Sequence, residues 1–404
     1  MSCCDKPGLM PVEAALARLL AQAEASAIVE CERVKLSDAA GRVLAEPLLA
    51  ELDLPPWDNS AMDGYALRLA DWNGQPLVVS QRIQAGSAPQ PLLPGTCARI
   101  FTGAPLPAGA DTVEMQENAV LGEDGRVAFS EPLKRGQNVR AQGQETRVGD
   151  SVLPAGTRLG PIELGLAASL GCAELNVRRR PRVAVLSTGD ELVEPGQPLG
   201  PGQIYNSNRR VLIAWLQRLG CEVVDGGILL DDLQQTRAAL GALSDVDLIL
   251  STGGVSVGEA DFLGMALRED GELALWKLAI KPGKPLTFGH FRGVPVIGLP
   301  GNPASTLVTF GLLTRPYLLR RQGVQDVTPL QFSVPAGFDW PKPGMRREYL
   351  RARIEHGQVH IYKNQSSGVL RSAAWAEGLA EVLEGTTLEE GDSLRFIPLS
   401  EILG

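Results

Sequence analysis

Apolar residues in the middle of the chain come in short runs, each closed by a polar turn rich in glycine or proline. Leu248-Ile249-Leu250 opens into residues 251–261, Ser-Thr-Gly-Gly-Val-Ser-Val-Gly-Glu-Ala-Asp. Residues 276–280 open into Lys281-Pro282-Gly283-Lys284-Pro285, and residues 294–299 into Pro300-Gly301-Asn302-Pro303-Ala304-Ser305. Runs that are apolar at every position predict strands buried on both faces of a parallel sheet, where ligands collect beyond the carboxyl ends. The pattern therefore predicts that these three turns face one cleft.

The same alternation extends to both sides. Residues 182–186 form a further apolar run that ends in Ser187-Thr188-Gly189-Asp190-Glu191-Leu192, and helical stretches at 206–219 and up to 243 separate the runs. This predicts a doubly wound α/β domain over 179–328. It lacks Gly-x-Gly-x-x-Gly, which disfavours a conventional dinucleotide fold. Residues 11–25 are helix formers after a proline, with Leu16, Leu19 and Leu20 on one stripe, a packing face. Residues 76–131 alternate short β-like stretches with Pro/Gly turns, and 329–404 change to short alternating segments that predict a small β barrel or sandwich. The expected organisation is α/β and β multidomain: 1–46 plus 147–178 as a discontinuous N-terminal segment, 47–146 as a β-rich inserted domain, 179–328 as the α/β domain, and 329–404 as the C-terminal β barrel.

Composition narrows the possible partners. With 38 basic and 47 acidic residues in 404, the net charge is −9, which argues against general nucleic-acid binding but not against a small anion held by a local lysine cluster. Six cysteines at 3, 4, 31, 97, 172 and 221 lack zinc-like or CxxC spacing, and three histidines are too few for a His-rich metal site. Scattered thiols and the lack of a signal-like or long apolar span make a cytoplasmic protein with no membrane association the expectation.

The turns carry complementary chemistry. Gly253, Gly254 and Gly301 allow sharp bends or close approach to a ligand. Asn302 suits an N-cap and Pro303 the first helical position, so the third turn should open a helix whose N–H groups and Ser305 hydroxyl favour an anion. Lys281 and Lys284 add cationic donors, and Asp261 an acid able to hold a divalent metal or a polar ligand. Thr188 and Glu191 end another strand of the same sheet, and Ser256 and Lys277 belong to the same set of strand ends and turns. Taken singly each glycine or proline is plain turn geometry; three such turns with lysines and an acid predict a site for an anionic, phosphorylated ligand.

The three turn sequences resemble signatures of the molybdopterin molybdenumtransferase family, which includes the C-terminal region of gephyrin. Asp58-Asn59-Ser60-Ala61-Met62-Asp63-Gly64-Tyr65-Ala66, Arg99-Ile100-Phe101-Thr102-Gly103-Ala104-Pro105, Arg347-Glu348-Tyr349-Leu350-Arg351 and Asn364-Gln365-Ser366-Ser367-Gly368 extend the resemblance from about residue 10 to the C-terminus. The resemblance implies insertion of molybdate into adenylylated molybdopterin with release of AMP and formation of molybdenum cofactor. It implies Asp63, Thr102, Glu145, Glu191, Asp231 and Asp261 around the pterin nucleotide and Mg²⁺, with Glu191, Asp231 and Asp261 as metal ligands. It places molybdate near Lys281, Lys284, Pro285, Ser305, Arg351 and Ser367. Asp63, Glu145, Glu191, Asp261 and Lys281 are the residues expected to act in catalysis. Where family members carry an aspartate this chain has Glu145, one methylene longer. The resemblance further implies a homodimer joined through the N-terminal segment, whose inserted domain serves the partner's cleft. Molybdopterin adenylyltransferase and apo-molybdoenzymes are the further partners it suggests. Two other readings are an adenylyltransferase acting on molybdopterin, which the additional N- and C-terminal regions disfavour, and a non-catalytic scaffold of the gephyrin kind.

Overall fold

The computed structural model describes residues 8–130, 132–254 and 261–403. The chain divides into two compact units. One comprises the residues up to Glu46, Ala155–Gly160 and Glu174–Gly404; the other comprises Pro47–Pro154 and Pro161–Ala173. The second unit thus takes in residues 147–154 and 161–173, which the sequence pattern grouped with the N-terminal segment.

The first unit is built on a six-stranded sheet. Its strands are β1 (Arg182–Thr188), β2 (Glu222–Leu229), β3 (Leu248–Thr252), β4 (Gly271–Lys277), β5 (Pro285–Phe291) and β6 (Val294–Leu299). They lie in the order β2-β1-β3-β6-β5-β4. The first four are parallel, while β5 runs antiparallel to both β6 and β4. The order steps from β1 out to β2 and then back across to β3, which creates a switch point at the carboxyl ends of β1 and β3.

Helices cover both faces, which is why the parallel strands are apolar at consecutive positions. Val183, Val185, Leu248, Leu250, Ile297 and Leu299 pack with α1 (Ser207–Arg218), with the helical segment after β6 and with Leu19 of the N-terminal helix Val12–Ala25. The intervening residues Ala184, Leu186, Ile249 and Val296 face α2 (Leu233–Gly241) and α3 (Phe262–Asp270). Alternate side chains thus go to opposite layers, as strand geometry requires. The expected stripe of the N-terminal helix is real but wider: Val12, Ala15, Leu19 and Ala23 are buried, with Leu16 and Leu20 packed at the margin.

After β6, α4 (Pro303–Thr309) passes into a π-helical stretch, Phe310–Thr314, and then into helix Arg315–Arg321. Pro316 has no N–H to return to the preceding turn, so the widened turn stands where a proline kink was expected. The C-terminal region adds a second six-stranded sheet around Arg347–Glu355, Gly378–Val382 and Ser393–Pro398. Its first member, Ile280–Lys281, comes from the loop between β4 and β5 and pairs parallel with Arg347 and Glu348. The sequence pattern ran the second central strand through Ile280. In the structure β4 stops at Lys277, the Leu278 N–H donates to the Lys284 carbonyl, and the next residues join the other sheet.

The second unit contains its own six-stranded sheet, including Gly64–Leu67, Leu77–Ile83, Thr96–Ile100 and Thr112–Met115. The described cysteines are free thiols; burial pushes Cys97 and Cys221 up to about 12, so they behave as small apolar groups. Among the described residues, no helix is long and apolar enough to cross a membrane.

Candidate functional site

The carboxyl edge of the sheet forms two adjoining cavities that share Gly253, Gly301 and Asn302. The glycines after β3 sit hard against the end of β1. Gly253 and Gly254 have φ of +88° and +63°, and a Cβ at Gly254 would lie 2.6 Å from the Thr188 hydroxyl oxygen. The close approach expected of these glycines is therefore made first to β1, and it packs the two strand ends side by side at the switch point.

The first cavity, of about 560 Å³, is lined by Thr188, Glu191, Asn206, Asn208, Thr252 and Gly301 among others. Two lining groups, Thr188 Oγ1 and Asn206 Nδ2, are buried without a hydrogen-bond partner among the described residues. Asn208 Nδ2 donates to Thr252 Oγ1 at 3.0 Å and to the Gly301 carbonyl at 2.7 Å, tying the end of β3 to the turn after β6. Buried polar groups are normally paired, so unpaired hydroxyl and amide groups beside a cavity mark where a ligand is to bind.

One acid lines this cavity, and two more stand next to that acid in the chain or in charge. Glu191 is exposed in its wall. Burial first, and then the neighbouring charges of Asp190 and Glu191, raise the carboxyl of Asp231 above the usual aspartate range. Asp190 also accepts the Asp231 N–H. Glu191 and Asp231 offer carboxylate oxygens, the kind of ligand a hard cation takes. No group of three or more His, Cys, Asp or Glu among the described residues forms a preassembled cage. Asp261 has other commitments: it caps α3 by accepting the Gly264 N–H at 2.8 Å and pairs with Arg268 at 3.4 Å. Burial is the largest influence on its carboxyl and raises it overall.

The second cavity, of about 610 Å³, is cationic. Lys281, Lys284 and Arg346 line it with Pro285, Ser305, Gln365, Ser366 and Ser367. Lys281 is paired with Glu348 at 3.0 Å, whereas Lys284 has no ion pair among the described residues. Asn302 stands at the N-cap position of α4, yet its side chain caps nothing, unlike Asn206, Asp232 and Asp261 before the other helices of this domain. The helix start is less open than expected: Pro303 has no N–H, and the Ala304 N–H donates to the Ser367 carbonyl at 2.9 Å. Arg351 lies behind the wall, fully buried. It donates to Ser372 Oγ and to the Tyr349 and Ser366 carbonyls, and burial pulls it down to about 10. Its role here is to hold the 366–367 loop. Lys277, at the end of β4, is exposed and pairs with Pro285 across the sheet. Ser256 lies outside the described residues.

Asp63, Thr102 and Glu145 belong to the second unit. Strands Gly64–Leu67 and Thr96–Ile100 pair antiparallel with Gly64 opposite Ile100, so Asp63 and Thr102 meet just beyond that pair. The Thr102 N–H and hydroxyl both donate to Asp63 Oδ1 at 2.8 Å. The N–H and then the hydroxyl hold the Asp63 carboxyl below the usual range. Glu145 is exposed, with its N–H donated to the Leu54 carbonyl.

Sequence reasoning missed Asn206, Asn208, Gln365 and Arg346. The signal for the asparagines was Asn206-Ser207-Asn208 directly after a short strand, read only as a helix start. Arg346 stood beside Arg347 and had no distinguishing mark.

Comparison with known proteins places the whole chain. Residues 10–171 match the MoeA N-terminal region (domain I and II), 184–320 a probable molybdopterin binding domain, and 333–399 the MoeA C-terminal region (domain IV). A molybdopterin molybdenumtransferase of Haemophilus influenzae is 40% identical over 385 residues, covering 93% of this chain and 95% of that protein. Molybdopterin molybdenumtransferase 2 of Mycobacterium tuberculosis is 40% identical over 382 residues, 89% of this chain and 94% of that one. The crystal structure of a molybdopterin biosynthesis moeA protein from Pyrococcus horikoshii superposes with a TM-score of 0.83 at 29% identity, over 97% of this chain and all of the other. With relatives this similar along nearly its whole length, the chain belongs to the molybdopterin molybdenumtransferase (MoeA) family.

Proposed function

We propose that this chain is a Mg²⁺-dependent molybdopterin molybdenumtransferase, placing molybdate into adenylylated molybdopterin with release of AMP. The observation that carries the reading is the pair of adjoining cavities with opposite linings, one of hydroxyls, amides and an acid, the other of three cations. The first suits the polar pterin nucleotide, whose groups would satisfy Thr188 Oγ1 and Asn206 Nδ2. The second suits a tetrahedral dianion, which needs lysines, arginine and hydroxyls as donors. Gly301 and Asn302, common to both, stand where the two ligands would meet.

Glu191 and Asp231 are the residues that would hold Mg²⁺, with Asp190 beside them. When bound, the ion neutralises charge developing on the phosphates. Asp261 orients the start of α3 through its cap, and Arg268 balances its charge. Lys284 and Arg346 hold the oxyanion, and Ser305 offers it a hydroxyl. Arg351 positions the 366–367 loop from behind. Asp63, with Thr102 fixing its carboxylate, and Glu145 complete the catalytic set in this reading. They would serve the partner's cleft in a homodimer located in the cytoplasm, with molybdopterin adenylyltransferase and apo-molybdoenzymes as neighbours in the pathway.

The test is turnover of purified protein with adenylylated molybdopterin, Mg²⁺ and molybdate. Release of AMP that depends on molybdate is expected. Consumption of ATP with molybdopterin, and no such release, would instead identify an adenylyltransferase, and neither activity would leave a scaffold. Mixing Asp63→Asn with Glu191→Gln chains should restore activity if sites are shared between subunits, and no recovery after verified exchange would contradict sharing.

A further inference from the structure

Glu348 is a carboxylate in the wrong place for an anion site. Its side chain is 8% exposed, and its Oε2 lies 3.0 Å from the ammonium of Lys281, which lines the cationic cavity. The pairing is fixed by backbone: Ile280 and Lys281 run parallel to Arg347 and Glu348, so residues distant in sequence are held in register. It is also fixed by packing, because a Cβ at Gly344 would lie 2.9 Å from Glu348 Oε1. The strand's neighbouring groups do not share the task. Arg347 pairs with Glu13, Glu381 and Glu384, and the Tyr349 hydroxyl donates to Glu381. Among the described residues, Lys281 is the cation paired with Glu348, while Lys284 and Arg346 have no carboxylate partner.

We infer that Glu348 is a positioning residue that sets the charge of the oxyanion cavity and so its affinity for oxyanions. The inference rests on the reading of that cavity as the molybdate site. Three cations line the cavity, and the buried carboxylate offsets one, leaving two positive charges for a dianion. It also anchors the Lys281 ammonium, whose side chain is 51% exposed and would otherwise swing towards any anion. The arrangement moderates the affinity of the cavity for any oxyanion.

Titration calorimetry with molybdate alone, and separately with sulfate alone, tests this on the full-length protein. Glu348→Gln keeps the shape and an acceptor for Lys281 but removes the charge, so both oxyanions should bind about fivefold more tightly, as expected for one charge lost near a half-exposed site. Glu348→Asp should not tighten either. Unchanged or weaker binding by a Glu348→Gln protein with wild-type thermal unfolding would overturn the inference. A double variant, Lys281→Gln with Glu348→Gln, guards against a folding defect because no buried charge is left unpaired. It keeps the net charge and should bind molybdate within about twofold of wild type, whereas Lys281→Gln alone should bind about fivefold more weakly. A double variant as weak as the single one would overturn the inference. Wild-type protein that binds neither oxyanion would overturn the cavity reading and this inference together; binding that Glu348→Gln does not tighten would sink the inference alone.

Discussion

The two edges of the central sheet treat their polar residues in opposite ways. At the amino edge, Asp247 just before β3 accepts from both terminal nitrogens of Arg179, at 2.7 and 2.9 Å, and from the Arg182 N–H at 2.7 Å, with Arg321 alongside. At the carboxyl edge, Thr188 Oγ1 and Asn206 Nδ2 are buried and unpaired among the described residues, and Lys284 lines the cationic cavity without an ion pair among them. An unpaired buried polar group costs about 1–3 kcal/mol, so one edge stabilises the fold while the other carries a cost that a ligand would relieve. Stability and binding are thereby assigned to opposite ends of the same strands.

The largest expected effect comes from the saturated edge. Asp247→Ala removes the shared partner of Arg179 and Arg321 and should lower unfolding free energy by about 3 kcal/mol, with molybdate-dependent AMP release per folded molecule unchanged. The pH dependence follows from the same contacts. Burial pushes the Asp247 carboxyl up, but the Arg179 hydrogen bonds and the Arg182 N–H outweigh it and hold it below the ordinary 3.8. A depressed carboxyl contributes stability that is present above 3.8 and lost as pH falls through the folded value. Urea unfolding across that acid range should therefore show a loss in wild type that is flattened in Asp247→Ala. An equal acid loss in both proteins would count against the assignment.

Next in size is a difference between two lysines that look equivalent in the sequence. Lys281→Ala leaves the buried Glu348 carboxylate without its cation and should cost about 2 kcal/mol of stability. Lys284→Ala breaks no ion pair and should leave the unfolding midpoint unchanged. Equal destabilisation in thermal unfolding would erase the distinction.

Much of this site was legible in the sequence because it is local. The turn after β3, the Lys-Pro-Gly-Lys turn and the Pro-Gly-Asn-Pro turn each announce themselves by residues needed within a few positions. What was not legible depends on contacts between distant segments. The Lys281–Glu348 pair arises from a two-residue strand that leaves one sheet for another. Asn208 acts through Gly301, far along the chain. The resemblance placed Arg351 near molybdate, and only the fold reveals that it is fully buried and that its nitrogens donate to Ser372 Oγ and to the Tyr349 and Ser366 carbonyls.

The smallest expected change in stability has the opposite sign. Thr188→Val replaces an unpaired buried hydroxyl with a methyl of similar size and should raise unfolding free energy by about 1 kcal/mol while weakening binding of the pterin nucleotide. Denaturant unfolding and nucleotide titration on the same preparation check both halves. A loss of stability would show that the hydroxyl is already satisfied in the free protein.

The central claim is that the cationic cavity receives the oxyanion and the neighbouring one the pterin nucleotide. Lys284→Ala tests it most directly, with saturation by molybdate and by adenylylated molybdopterin measured separately through AMP release. Loss of one charge-assisted hydrogen bond, worth about 1.5–3 kcal/mol, predicts about ten- to hundredfold weaker use of molybdate with nearly unchanged use of the pterin nucleotide. An unchanged molybdate dependence together with collapsed pterin nucleotide binding would contradict the account and assign Lys284 to the pterin phosphate.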